Sequence, residues 1–261
     1  MRAMSRRLIP LAVATGMVAA ATLSPAQAMP VTFAQYVQQN GALQSWAIST
    51  TAGTTTVTSN SAVFISFSGV PGLQFVGPES AMFSLSATSN SLGNCGAICA
   101  AGDVFAQQGY AGNFSFIGTG LLAGQNLLSG TFATDATPAT SGAQLRSTVG
   151  SSGGAFTASS NASNLAQLSM TSAYISFAGQ TEQNASWSLS SMIPNFLTGP
   201  IVAGQARPAA GTFNASGSGT FSSNPGPTSI PIPEPASALV LGAGLVALGT
   251  LRRRSKAAAQ A

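Results

Sequence analysis

The feature that most constrains this chain is an apolar alternation of period two that recurs along its middle. In residues 61–69, SAVFISFSG, Val63, Ile65 and Phe67 fall on one face. In 81–87, AMFSLSA, Phe83, Leu85 and Ala87 alternate with Ser84 and Ser86. The same spacing returns at Phe114 and Phe116, Leu168 and Met170, Ile175 and Phe177, and Trp187 and Leu189. Successive strand side chains point to opposite faces, so apolar residues at every second place with Ser or Thr between them read as half-buried antiparallel strands. Clusters of Gly, Asn, Ser and Pro separate these runs at short intervals. Residues 29–221 are therefore expected to form an all-β domain, an antiparallel sandwich or barrel long enough to bury a core. One short helix is expected at 33–39, where Phe33, Tyr36 and Val37 share a helical face ahead of Asn40-Gly41.

Three short stretches return later in the same order. AVFISFSG at 62–69 is echoed by SAYISFAG at 172–179, and MFSLSATSN at 82–90 by SWSLSSMIPN at 186–195. LLAGQNLLSGTF at 121–132 is echoed by IVAGQARPAAGTF at 201–213. Duplication would give two similar β halves, the first carrying an insertion that holds both cysteines; shared Ser/Gly/Ala bias is the competing account.

Basic charge is concentrated at the ends. The calculated pI is near 9.7, yet of nine basic residues only Arg146 and Arg207 lie in the body, facing Glu79, Asp103, Asp135 and Glu182. A body without a basic patch cannot neutralise a row of phosphates, so no nucleic-acid partner is expected. At the N-terminus, Arg2, Arg6 and Arg7 precede an apolar segment from Leu8 to Leu23 and the triplet Ala26-Gln27-Ala28. That is the pattern of a signal peptide spanning 1–28 and cleaved after Ala28, with export of the mature chain; an uncleaved anchor is disfavoured by Pro10 and the triplet.

At the other end, residues 236–251 carry no charge and stop at Arg252, Arg253 and Arg254. Sixteen residues make a helix about 24 Å long, short for a bilayer core of about 30 Å. The arginine stop orients a transmembrane helix with the body outside the cytoplasmic membrane, whereas a buried core helix would need no such stop. Residues 222–230, SSNPGPTSI, read as a turn-rich linker.

Pro233-Glu234-Pro235, followed by this apolar span and the Arg252–Arg254 cluster, resembles the PEP-CTERM sorting signal of Gram-negative bacteria. The resemblance covers 231–261 and does not reach the body. It implies an exosortase as processing partner, cleavage near the tripeptide, and delivery to the cell surface or an extracellular matrix rich in exopolysaccharide, as in biofilms. Two prolines around one acid also keep that segment extended, as a protease requires.

Little in the body carries chemistry. Cys95 and Cys99, a lone pair in an exported chain, are expected to form a structural disulfide; without histidine or a second cysteine pair a metal site is disfavoured. Gly150-Ser151-Ser152-Gly153-Gly154 matches the nucleophile-elbow pattern, but zero histidines leave its serine no usual base. Gly118-x-Gly120-x-x-Ala123 mimics a dinucleotide fingerprint outside any βαβ setting. No cofactor and no metal are expected. Asp103 and Asp135 lack calcium-ligand spacing, and Asn113, Asn161, Asn184 and Asn214 begin Asn-x-Ser triplets that a Ser-rich chain supplies by composition. The expectation is a non-enzymatic structural or adhesive surface protein. The runner-up is an exopolysaccharide-binding module using exposed aromatics such as Tyr110 or Tyr174, and a third reading is a glycoside hydrolase using Glu79 and Glu182.

Overall fold

The structure is a computed structural model describing residues 29–230 apart from 42, 72, 74–76, 96–98, 134–142, 162–166 and 200–208. The described chain is all-β. Its strands are β1 (Val31–Gln38), β2 (Trp46–Thr51), β3 (Thr54–Phe67), β4 (Glu79–Ser89), β5 (Gly93–Asn94), β6 (Val104–Gln108), β7 (Ala111–Gly118) and β8 (Asn126–Phe132). There follow β9 (Ala143–Thr148), β10 (Gly154–Ser160), β11 (Leu168–Thr171), β12 (Ile175–Ser176), β13 (Glu182–Ile193), β14 (Phe213–Asn224) and β15 (Thr228–Ser229). The signal peptide, the tripeptide, the apolar span 236–251 and its arginine stop lie outside the described residues.

Thirteen of the described strands form one antiparallel sheet in the order β11-β8-β7-β4-β3-β1-β14-β13-β10-β9-β6-β5, with β2 bridging β3 and β14; β12 pairs β15 separately. β1 and β2 run end to end between the same two neighbours. β1 faces residues 63–67 of β3, and β2 faces residues 54–59. The sheet curls so that its two halves face one another in a barrel-like wrap. Phe114 of β7 meets Trp187 of β13 edge to face at 5.3 Å and stacks on Phe221 of β14 at 5.4 Å. Phe83 of β4 lies 5.8 Å from Trp46 of β2, and Phe132 of β8 lies 5.8 Å from Phe156 of β10. The edge strand β11 is tied across to β13 by a side chain, the Met170 N–H donating to Gln183 Oε1 at 2.9 Å.

Every apolar alternation read from the sequence turns inward. Val63, Ile65, Phe83, Leu85, Phe114, Phe116, Leu168, Met170, Ile175, Trp187 and Leu189 are buried, with Phe67 and Phe177 packed at the margin. Two expectations are corrected. Residues 33–39 are not helical: Val31–Gln38 is β1, with ladder partners in both β3 and β14. A register shift between Thr32 and Ala34 leaves Phe33 and Ala34 buried side by side, which breaks period two and imitates helical spacing. Nor is 222–230 a free linker. Ser222–Asn224 complete β14, Thr228–Ser229 pair with β12, and the Ile230 N–H donates to Tyr174 O at 2.8 Å.

Of the three echoes, the pair 82–90 and 186–195 occupies long inner strands, β4 and β13. The segment at 62–69 lies in β3 of the main sheet, whereas its echo at 172–179 spans the two-residue β12. Residues 121–132 run from the β7–β8 turn through β8, whereas 201–208 of their echo lie outside the described residues.

Candidate functional site

Tyr110 and Tyr174, expected as exposed aromatics for binding, are buried along with the other tyrosine and both tryptophans. Trp46, Trp187 and Tyr110 are fully buried, Tyr36 is nearly so and Tyr174 is only 7% exposed. The Tyr110 hydroxyl lies 3.1 Å from Gln107 Oε1 and donates to it. Tyr110 and Tyr174 are therefore unsuited as an exposed sugar platform.

The carboxylates stand at separate places. Glu79 opens β4 opposite Ile65, Glu182 opens β13 opposite Asn224, and Asp103 precedes β6. Asp103 Oδ2 accepts from the Ala100 N–H at 2.9 Å, and Glu182 Oε1 accepts from Asn184 Nδ2 at 2.9 Å. Asp135 lies outside the described residues. Among the described residues no group of three or more His, Cys, Asp or Glu is gathered as metal ligands would be. Cys95 and Cys99 are joined by a disulfide with Cα atoms 5.1 Å apart. Residues 150–153 lie in the turn from β9 to β10, which Gly154 opens, and Gly118 ends β7 with 119–123 in the turn to β8.

What the fold assembles instead lies on the outer face. The polar residues that alternate with the core line up across strands into continuous rungs. One runs Thr58–Ser86–Asn113–Thr131–Ser169 over β3, β4, β7, β8 and β11. The next runs Asn60–Ser84–Ser115–Ser129–Thr171 over the same strands. Its hydroxyls hydrogen-bond to one another: Ser84 Oγ to Ser115 Oγ at 2.8 Å, and Ser129 Oγ to Thr171 Oγ1 at 2.9 Å. Asn126 Nδ2 donates to Ser129 Oγ at 2.9 Å and extends the row. On the other half of the sheet, Ser66, Gln35, Thr220, Ser186, Thr157, Gln144 and Gln108 form a seven-strand rung. None of these positions carries charge.

Between the first two rungs, Asn113, Ser129, Thr131, Ser169 and Thr171 surround a shallow groove of about 270 Å³, floored at Phe114 and Gly130. Exposed Met82 and Ile117 occupy the following rung, with Phe64 and Val37 beyond them. The face thus sets rows of neutral donors and acceptors beside an apolar strip. Chemically it suits a neutral ligand that presents hydroxyls and C–H surface together, and it offers nothing to a phosphate or carboxylate. The Ser/Thr alternation was visible in sequence, but the alignment of rungs depends on pairings between distant strands.

No protein-family model, no curated protein and no solved structure matches this chain.

Proposed function

We propose that the chain is an exported, non-enzymatic protein of the cell surface or extracellular matrix, structural or adhesive in role. In this reading residues 1–28 direct export, 236–251 form a transmembrane helix, and an exosortase recognises Pro233-Glu234-Pro235. The body is an antiparallel sandwich or barrel, and the echo between 82–90 and 186–195 reflects two duplicated halves.

The observation that carries the adhesive role is the pair of five-strand hydroxyl and amide rungs on the outer face. A surface of this kind meets a neutral, hydrated polymer through many weak hydrogen bonds at once, without electrostatic steering. The groove at Asn113 and Thr131 favours a second reading within the same setting, an exopolysaccharide-binding module that seats one sugar residue at a time.

The test has two arms. Removing residues 233–256 should abolish surface or matrix attachment while leaving export intact; unchanged attachment sinks the sorting proposal. Retardation of the protein in gels containing purified matrix polysaccharide supports adhesion, and free migration through neutral and acidic polysaccharides alike sinks it.

A further inference from the structure

We infer that the end of the β domain from which both chain ends emerge rests on a lipid surface, with the β7–β8 turn at Leu121 reaching into the headgroup layer. This rests on the reading that 236–251 is held in a membrane, and adds which face of the domain meets that membrane.

The two ends leave the domain together. Val31 pairs with Ser223 in the β1–β14 ladder, and a Cβ placed on Gly226 would lie 3.6 Å from Val31 Cβ. Ile230, the last described residue, is held to Tyr174 by a backbone hydrogen bond of 2.8 Å. The start of β4 belongs to the same end of the sheet, because Glu79 pairs with Ile65 and Ile65 with Tyr36. The β7–β8 turn joins it there, the Thr119 N–H donating to Ser80 O at 2.9 Å.

Apolar side chains are exposed at this end, as Val104, Ile193 and Leu197 are at the other, so the length of the tether beyond Ile230 is what selects this end. Leu121 is 99% exposed and Met29 84%, and Val31 and Ile230 are also exposed. The strip of Val37, Phe64, Met82 and Ile117 abuts it on the outer face. One exposed leucine is ordinary, but Leu121, Met29, Val31 and Ile230 together give this end an apolar surface suited to contact.

The length of chain beyond Ile230 decides what it meets. Only residues 231–235 separate Ile230 from the apolar span, and five extended residues reach at most about 18 Å. β14 alone, at twelve residues, is about 40 Å long. A tether shorter than half the domain holds its near end at the bilayer surface. The charges at strand starts there, Glu79 and Glu182, are both acidic, so contact is apolar rather than electrostatic and insensitive to salt.

The experiment uses the mature full chain from Met29 to Ala261 in vesicles of phosphatidylethanolamine and phosphatidylglycerol. A nitrobenzoxadiazole probe is placed at Leu121→Cys or, as a control near the opposite end of β14, at Leu197→Cys; the Cys95–Cys99 disulfide is left oxidised. The expected result is flotation with the vesicles, blue-shifted emission at position 121 that nitroxide lipids quench at low and high salt, and water-like emission at 197. Flotation with water-like emission at both positions overturns the inference and leaves membrane anchoring intact. Failure to float overturns anchoring, and this inference with it.

Discussion

Gly217 of β14 lies flat against the indole of Trp46: a Cβ built on it would come within 2.3 Å of Nε1. Two residues on, a Cβ at Gly219 would meet Tyr36 Cε1 at 2.6 Å and Ser186 O at 3.0 Å. The alternation Ser216-Gly217-Ser218-Gly219 is thus not a flexible stretch. Its glycines occupy inward positions of a central strand because two large rings from β2 and β1 fill the space a side chain would take. Gly217→Ala and Gly219→Ala are each expected to destabilise the domain by about 2 kcal/mol through overpacking. Urea unfolding followed by tryptophan fluorescence checks this, and a loss under about 0.5 kcal/mol, the range of surface changes, contradicts it.

A buried glutamine ties the two halves of the sheet together. Gln107 of β6 is fully buried, and its Nε2 donates to Thr55 Oγ1 of β3 at 2.9 Å and to Ser91 O at 2.7 Å. Its Oε1 accepts from the Ala210 N–H at 3.0 Å and from the Tyr110 hydroxyl at 3.1 Å. Gln107→Leu keeps the bulk and takes away the partner of the buried Ala210 N–H and of the buried Tyr110 hydroxyl, where each unpaired group costs about 1–3 kcal/mol, while Thr55 keeps Thr50 and the exposed Ser91 carbonyl can meet water. The expected loss is about 3 kcal/mol or more, whereas Tyr110→Phe, which removes one bond of several, costs about 1 kcal/mol. Calorimetry on the two variants separates these magnitudes.

How far the sequence discloses this molecule follows from which interactions are local. Period two is a property of neighbouring residues, so β3, β4, β7 and β13 were legible. β1 was not, because the register shift beside Phe33 puts two adjacent residues into the core and erases the alternation. Asn224 to Ser229 carries every local sign of a linker, yet β12, some fifty residues earlier in the chain, supplies the hydrogen bonds that order it. The Gln107 network is likewise a meeting of distant elements. So is the outer face: Ser/Thr alternation marks outward positions, but which serine stands beside which threonine is decided by strand order, and strand order has no local signature.

Burial makes the fold sensitive to alkali. Burial raises the Tyr36 phenol well above its ordinary value, and it raises Tyr110 likewise. In the unfolded chain both ionise near pH 10. A folded value above the unfolded one gives a contribution fully present below about pH 10, and above it the folded state holds more protons, so stability falls as pH rises. Two tyrosines give a slope of about 3 kcal/mol per pH unit until unfolding. Thermal midpoints measured from pH 8 to pH 12 should drop steeply past pH 10, and the Tyr36→Phe, Tyr110→Phe double variant should drop less. Tyr36→Phe alone should gain about 1 kcal/mol at pH 7, because the Tyr36 hydroxyl is buried without a hydrogen-bond partner.

The outer rungs separate stability from adhesion. Ser86, Asn113 and Thr131 stand side by side on three strands, all exposed and all outside the core. Replacing Ser86 and Thr131 by Glu removes no buried contact, and the two positions are not direct neighbours, since Asn113 lies between them. Each change should leave stability within about 0.5 kcal/mol. A carboxylate at Thr131 in the groove wall and another at Ser86, beside Asn113, would demand counter-charge from any ligand, and a neutral polymer offers none, so part of their hydration would be lost without compensation. The double variant should therefore fold as the parent does by circular dichroism and melting, yet lose its retardation in gels of neutral polysaccharide. The same pair of changes at Thr157 and Thr220 on the opposite half of the sheet, where Ser186 likewise lies between them, serves as the control. Equal loss at both places would mean that net charge rather than this groove governs retention.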